Sequence, residues 1–174
     1  MVQKSPSACE RCATLGKTCC QTHEVLLTRG DQVRIAAYTG RTDFWEHRTP
    51  ADRSYVEQDD DPNWLRWAFN SDGSRPILKR QPNGDCRFLG RNGCTLPMEI
   101  RPLVCRLYPY TYSERGIVGF VEECPREVVP EGQTILQALG MRLDDAVRWH
   151  RMLYTELRTK EPTYEGRTDL RSAG

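Results

Sequence analysis

Arg101-Pro102-Leu103-Val104-Cys105-Arg106-Leu107-Tyr108-Pro109 sets one cysteine between two prolines. Proline is tolerated in the first turn of a helix, where its missing N–H has no helical partner, and it cannot continue one. The stretch therefore predicts a short helix that opens at Arg101-Pro102, carries Leu103, Val104, Cys105, Leu107 and Tyr108, and stops at Pro109. A thiol on that helix can meet thiols on distant segments only if the chain folds back over itself. The fold must achieve this closure.

Outward from the helix, turn signals and periodicity suggest its neighbours. Asn83-Gly84 favours a tight hairpin turn between a strand at residues 76–80 and a return strand at 85–89. A second Asn-Gly, Asn92-Gly93, precedes Cys94, so Cys86 and Cys94 stand at the two ends of a tight loop. Residues 116–123 alternate as a strand and deliver Cys124. Beyond them Ile135, Leu136, Leu139, Leu143, Val147, Met152, Leu153 and Leu157 recur at three- and four-residue steps, a long helix that Gly140 divides.

Upstream, residues 64–69 are aromatic enough to read as a strand, and 49–62 as a surface loop with Asp59-Asp60-Asp61 as a solvated turn. Residues 43–48 read as a helical turn. Thr28 opens a helix with Asp31 in its first turn and Gly40 at its end. Val25-Leu26-Leu27 is a short strand, and residues 1–22 form a loop in which Gly16 and its polar neighbours disfavour regular structure. The expected architecture is α+β. It is a small single domain over residues 1–160 with a cysteine-rich metal-binding loop region, a short antiparallel hairpin sheet and a long C-terminal helix, followed by a polar tail at 161–174.

A chain of 174 residues can bury a real core without cross-links. Its net charge of +1 gives no support for bulk electrostatic binding to nucleic acid or to a membrane surface. The N-terminus is polar and lacks an apolar secretory segment, and no stretch approaches the roughly 18 apolar residues of a membrane helix. These features lead to the expectation of a cytoplasmic protein. In that reducing compartment eight cysteines argue for metal before disulfides.

The cysteines are Cys9, Cys12, Cys19, Cys20, Cys86, Cys94, Cys105 and Cys124. Two residues separate Cys9 from Cys12, a bite suited to one metal or cluster. Adjacent side chains in extended chain point apart, so Cys19 and Cys20 either serve different metals or ligate through one of the two. Thiolates repel, and Arg101, Arg106, Arg87 and Arg11 are placed to offset their charge, as is the start of the Pro102 helix for Cys105. His23, three residues past Cys20, is a candidate further ligand or a plain surface residue; His47 and His150 have no partner in sequence. All eight cysteines are candidate metal ligands. An iron–sulfur cluster of the 4Fe–4S type stands ahead of a zinc ion. A redox-active dithiol and structural disulfides are the other readings, and Cys9-Glu10-Arg11-Cys12 lacks the βαβ setting of such a dithiol.

The segment from Cys9 to Cys20, together with Cys86-Arg87-Phe88-Leu89, Gly93-Cys94 and the Arg101 to Pro109 run, resembles the CxxCxxCC family, also called the YkgJ-like cysteine cluster proteins. The run R-P-x-x-C-R-x-Y-P is the family's most recognisable segment, and the likeness extends over about residues 9–124. The family name has two residues between its second cysteine and its cysteine pair, whereas six separate Cys12 from Cys19 here. The loop from Cys94 to Arg101 is also slightly longer than the commoner form. The resemblance implies chelation of zinc or iron. Relatives include flagellin lysine N-methylases, larger proteins whose cysteine domain resembles an iron–sulfur module, so an iron–sulfur oxidoreductase or a methylation-related enzyme is one implied alternative. No G-x-G-x-x-G follows a strand, which weakens a nucleotide pocket. A purely structural zinc fold, presenting the C-terminal helix to a partner protein, is another.

Overall fold

The computed structural model describes residues 7–16, 18–57 and 59–159. Where a loop was expected over residues 1–22, the described residues form two helices. α1 (Ala8–Thr14) opens with a capping box, in which Ser7 and Glu10 satisfy each other's backbone N–H groups. Gly16, at φ 63, lies just past the C-cap Leu15, so it ends α1 where it was expected to prevent a helix. α2 (Cys19–Thr22) follows at once. α3 (Arg29–Thr39) starts after Thr28 and ends at Gly40, left-handed at φ 68, as the sequence suggests.

The expected helical turn at 43–48 is instead strand β1 (Trp45–Arg48), and the expected strand at 64–69 is helix α4 (Trp64–Ala68). Each was too short for period to decide. Trp64 and Ala68 lie four apart and bury one face, a helical spacing that outweighs the aromatic content. β1 instead finds a partner in β2 (Arg75–Leu78), which it pairs antiparallel from Trp45↔Leu78 to Arg48↔Arg75. The Leu27 N–H reaches the Pro76 carbonyl at 2.9 Å, and Leu26 bridges to Ile77. β2 thus has chain on both sides, and all four of its residues are buried.

The return strand expected at 85–89 is reduced to a single bridge, Arg80↔Cys86. The Gln81 side-chain amide donates to the carbonyls of Cys86 and Leu89, both at 2.9 Å, and so occupies acceptors a longer ladder needs. The hairpin forms later, as β3 (Leu89–Gly90) and β4 (Gly93–Cys94), with Gly93 at φ 92. α5 (Leu103–Leu107) fills the space between Pro102 and Pro109 as expected. A further strand unread in the sequence, β5 (Tyr110–Ser113), pairs with β6 (Gly116–Phe120). The α+β class stands, with three separate two-stranded ladders among the described residues in place of one hairpin sheet.

The C-terminal helix is divided near Gly140, as expected, into α6 (Ile135–Ala138) and α7 (Leu143–Arg158). α7 buries Ala146, Trp149, His150, Leu153, Tyr154 and Leu157, a continuous stripe at steps of three, one and three. That stripe packs with Leu26, Trp64, Phe69, Leu103, Leu107 and Tyr110 into the largest apolar cluster. Asp61 corrects the solvated-turn expectation, because it is 3% exposed and accepts a 2.5 Å hydrogen bond from the Tyr154 hydroxyl. Residues 161–174 lie outside the described residues. No helix among those described is long and apolar enough to cross a membrane.

Candidate metal centre

Asp31 sets the position of the signature helix. It is fully buried, and its carboxylate caps α3 by accepting from the Thr28 N–H at 3.1 Å. The same carboxylate accepts from Leu103 N–H at 3.1 Å and from Arg34 Nη2 at 2.7 Å. One side chain thus holds the first turns of two helices, and Cys105 stands two residues past Leu103.

The N-terminal thiols reach the centre through two backbone contacts. The Cys86 N–H donates to the Cys20 carbonyl at 2.9 Å. Arg80 adds hydrogen bonds to the carbonyls of Gln21 at 3.1 Å, His23 at 2.6 Å and Gly84 at 2.7 Å, so its guanidinium clamps the end of α2 to the Gly84 turn. Nothing in the sequence spacing marks Arg80 for this task. On the other side Gly93 lies against α1, where a Cβ on it would sit 3.5 Å from the Cys9 carbonyl oxygen. This brings Cys9 and Cys12, one turn apart on α1, beside Cys94 on β4. Cys124 follows β6 and packs with Cys12, Ala8 and Val128, while Arg11 Nη2 holds the Val128 carbonyl at 2.5 Å.

All eight cysteines therefore line one cavity of about 780 Å³. Each is a free thiol; Cys12 and Cys86 are buried, Cys9 is exposed and the rest are half-buried. Among the described residues no three His, Cys, Asp or Glu side chains already close to single-ion distance. The thiols stand around a space rather than on a point.

Of the two arginines flanking Cys105, Arg101 lines the cavity; burial raises the thiols of Cys9 and Cys94 and the Arg101 charge opposes that rise, while at Cys20 the same charge adds to a net lowering. Arg106 is buried and turned away. Its Nε donates to the Arg101 carbonyl at 2.7 Å and its Nη2 to the Glu99 carbonyl at 2.6 Å, so it supports the loop that presents Arg101. Arg87 acts on Asp43. His23 lines the cavity mouth, with Nδ1 at 3.3 Å from the Cys19 carbonyl and Nε2 at 3.6 Å from Glu123. His47 lies on β1 against Trp45, and buried His150 bonds the Ser113 carbonyl at 2.7 Å.

Burial pushes most of the thiols upward, because a thiolate loses water there. Cys86 and Cys124 rise to about 11 by this cause. Cys105 rises well above its ordinary value, through burial and then through Cys20, Cys86 and Cys94. Cys20 is the exception, lowered to about 7. The Cys19 S–H donates to its sulfur, and the Arg101 charge assists, against the pull of burial. The same hydrogen bond raises Cys19.

Eight thiols around one cavity on a small α+β frame, with a guanidinium set among them, define a cysteine-cluster chelating domain. The donor set suits a thiophilic metal, since sulfur ligands select zinc and iron–sulfur centres. The chain belongs to the CxxCxxCC family, described as a "Putative zinc- or iron-chelating domain", whose profile matches residues 8–125. That match starts one residue before Cys9 and ends one after Cys124. No curated protein and no solved structure matches the chain significantly.

Proposed function

We propose that the chain is a metal-chelating protein in which Cys9, Cys12, Cys19, Cys20, Cys86, Cys94, Cys105 and Cys124 are the ligands. The observation behind this reading is that thiols from both ends of the family match line the same cavity. Iron–sulfur, in the 4Fe–4S form, stands ahead of zinc. A zinc ion draws four sulfurs to about 2.3 Å around a point and closes the space. The thiols here line a cavity without closing on a point, which suits cage-like cofactors better. Bound clusters would supply electron transfer; the chain's own residues hold them and, through Arg101, offset thiolate charge. The eight free thiols favour a reducing, cytoplasmic setting, and the metal-binding domain is assigned to residues 1–160.

Anaerobic purification, with iron, sulfide and zinc measured per chain and a visible spectrum recorded, tests the reading. Iron and sulfide in similar amounts with a brown colour are expected. A colourless chain with stoichiometric zinc rejects the iron–sulfur form, and a folded, metal-free chain rejects chelation altogether.

One observation favours a second reading, an iron–sulfur oxidoreductase or methylation-related enzyme. The cavity runs past the thiols to Tyr55, Tyr110 and Tyr112, and its volume falls in the range of small-molecule pockets. A cluster with no redox change between about −700 and +450 mV removes the basis for an oxidoreductase.

A further inference from the structure

The eight thiols share one cavity, but they do not pack as one group. Cys86 is buried in an apolar cluster with Val25, Leu27, Ile35, Phe44, Leu78 and Leu96, and Cys20, Cys94 and Cys105 pack against that same cluster. Cys12 is buried in a different cluster, with Ala8 and Val128, and Cys124 packs there. No cysteine belongs to both.

The position of α2 divides the adjacent pair. Successive residues on a helix project about 100° apart, so the Cys19 and Cys20 side chains leave the backbone in different directions, although the Cys19 S–H still reaches the Cys20 sulfur. Cys20 takes the first cluster, and its carbonyl receives the Cys86 N–H. Cys19 lies beside the corner built by His23, Tyr108 and Glu123, and its thiol acts on Tyr108. There His23 Nδ1 lies 3.3 Å from the Cys19 carbonyl, and the Tyr108 hydroxyl donates to Glu123 at 3.0 Å, one residue before Cys124. Cys9 lies one turn before Cys12 on α1, on the face it shares with Cys12.

Thiol–thiol electrostatics connect each group internally, and some of them also cross between the groups. Each of the six pairs within Cys20, Cys86, Cys94 and Cys105 interacts. So does each pair within Cys9, Cys12 and Cys124. Between the groups Cys19 interacts with Cys20 and Cys105 as well as with Cys9 of its own group, Cys9 interacts with Cys20 and Cys94, and Cys12 with Cys20; Cys19 and Cys124 both act on Tyr108.

We infer that the cavity holds two separate four-thiolate sites, one formed by Cys20, Cys86, Cys94 and Cys105, the other by Cys9, Cys12, Cys19 and Cys124. This rests on the chelating reading above and deepens it. The cysteine pair is then the boundary between the sites: neighbouring residues serve different centres.

Metal content in serine variants, counted by native mass spectrometry on the soluble folded chain, tests the grouping. Cys20→Ser and Cys86→Ser should each remove half of the bound metal, and the double variant should remove no more. Cys19→Ser and Cys12→Ser should each remove the other half, and Cys20→Ser combined with Cys12→Ser should remove it all. A wild-type chain that binds metal but loses everything on any one substitution overturns the grouping alone. A metal-free wild-type chain overturns the chelating reading and the grouping with it. A measurement on the wild type alone avoids variants that fail to fold. Half-loaded chains, alkylated and sequenced whole in the mass spectrometer, should show four protected thiols that belong to one set. Protection mixed across the two sets overturns the inference.

Discussion

Cys20 receives a hydrogen bond from the neighbouring Cys19 thiol and feels the charge of Arg101, and its thiol is lowered to about 7 while burial raises the others. In the metal-free chain it should therefore be the first cysteine alkylated by iodoacetamide near neutral pH, with a rate midpoint near pH 7. Peptide mapping across a pH series measures this. Cys19→Ala removes the main cause and should move the midpoint up toward the ordinary thiol value. Uniform labelling of all eight thiols contradicts the assignment. The signs for stability follow from the same groups. Cys20, lowered on folding, supports the metal-free fold above its unfolded value, and that support is lost as pH falls through about 7. Cys86 and Cys124, raised to about 11, support it below their unfolded value and lose that support as pH rises through about 11. Thermal midpoints of metal-free protein should thus decline between about pH 9 and pH 11. At this scale the sequence displayed the thiols and Arg101 but not which thiol ionises, because that depends on a hydrogen bond set by the turn of α2.

The caps of α3 and the prolines bounding α5 were legible, whereas the Ser7–Glu10 capping box of α1 was not read and β1 and α4 were misread. Thr28, Asp31 and Gly40 marked α3, and two prolines marked α5, because capping chemistry is local. β1 and α4 were misread because four or five residues take the form their neighbours permit, and those neighbours, β2 and α7, are distant in sequence. The joint between α3 and α5 was equally hidden, since nothing near Asp31 in sequence announces that Leu103 donates to it. Asp31→Ala leaves the Leu103 and Thr28 N–H groups unpaired in a buried place and removes a partner of Arg34. It should cost roughly 3 kcal/mol in urea unfolding of the metal-loaded protein. Metal release to a chelator should also speed up, because α5 carries Cys105. Asp43→Ala, which removes an exposed pair with Arg41, is the control and should leave both measurements unchanged. Equal effects of the two substitutions would sink the idea that Asp31 links cap to centre.

Across the whole molecule the metal centre and the main core are built from different residues. The cluster that α7 forms with α4, α5 and the β5–β6 hairpin contains no cysteine, whereas the two smaller clusters hold Cys86 and Cys12. The sequence showed α7 as a helix through its period, but of the α7 residues that marked it only Leu153 and Leu157 lie on the buried stripe, and Leu143 is exposed. The sequence could not show that the cysteines sit to one side of that core, because this depends on packing between segments far apart in the chain. A purely structural metal fold would lose all order on chelation, since binding energy there is folding energy of order 10 kcal/mol. The separation here gives a different expectation: chelation should loosen one part and spare the other. Hydrogen exchange after complete metal removal should rise across α1, α2 and the β3–β4 hairpin, while the α7 amides stay protected and most of the helical circular dichroism persists. Leu153→Ala probes the converse. Leu153 is fully buried on the inner face of α7, so its truncation should cost about 2–5 kcal/mol while the metal bound per folded chain stays unchanged. Collapse of the α7 signal on chelation, or loss of metal from the folded fraction of the Leu153 variant, would mean that core and centre form a single cooperative unit.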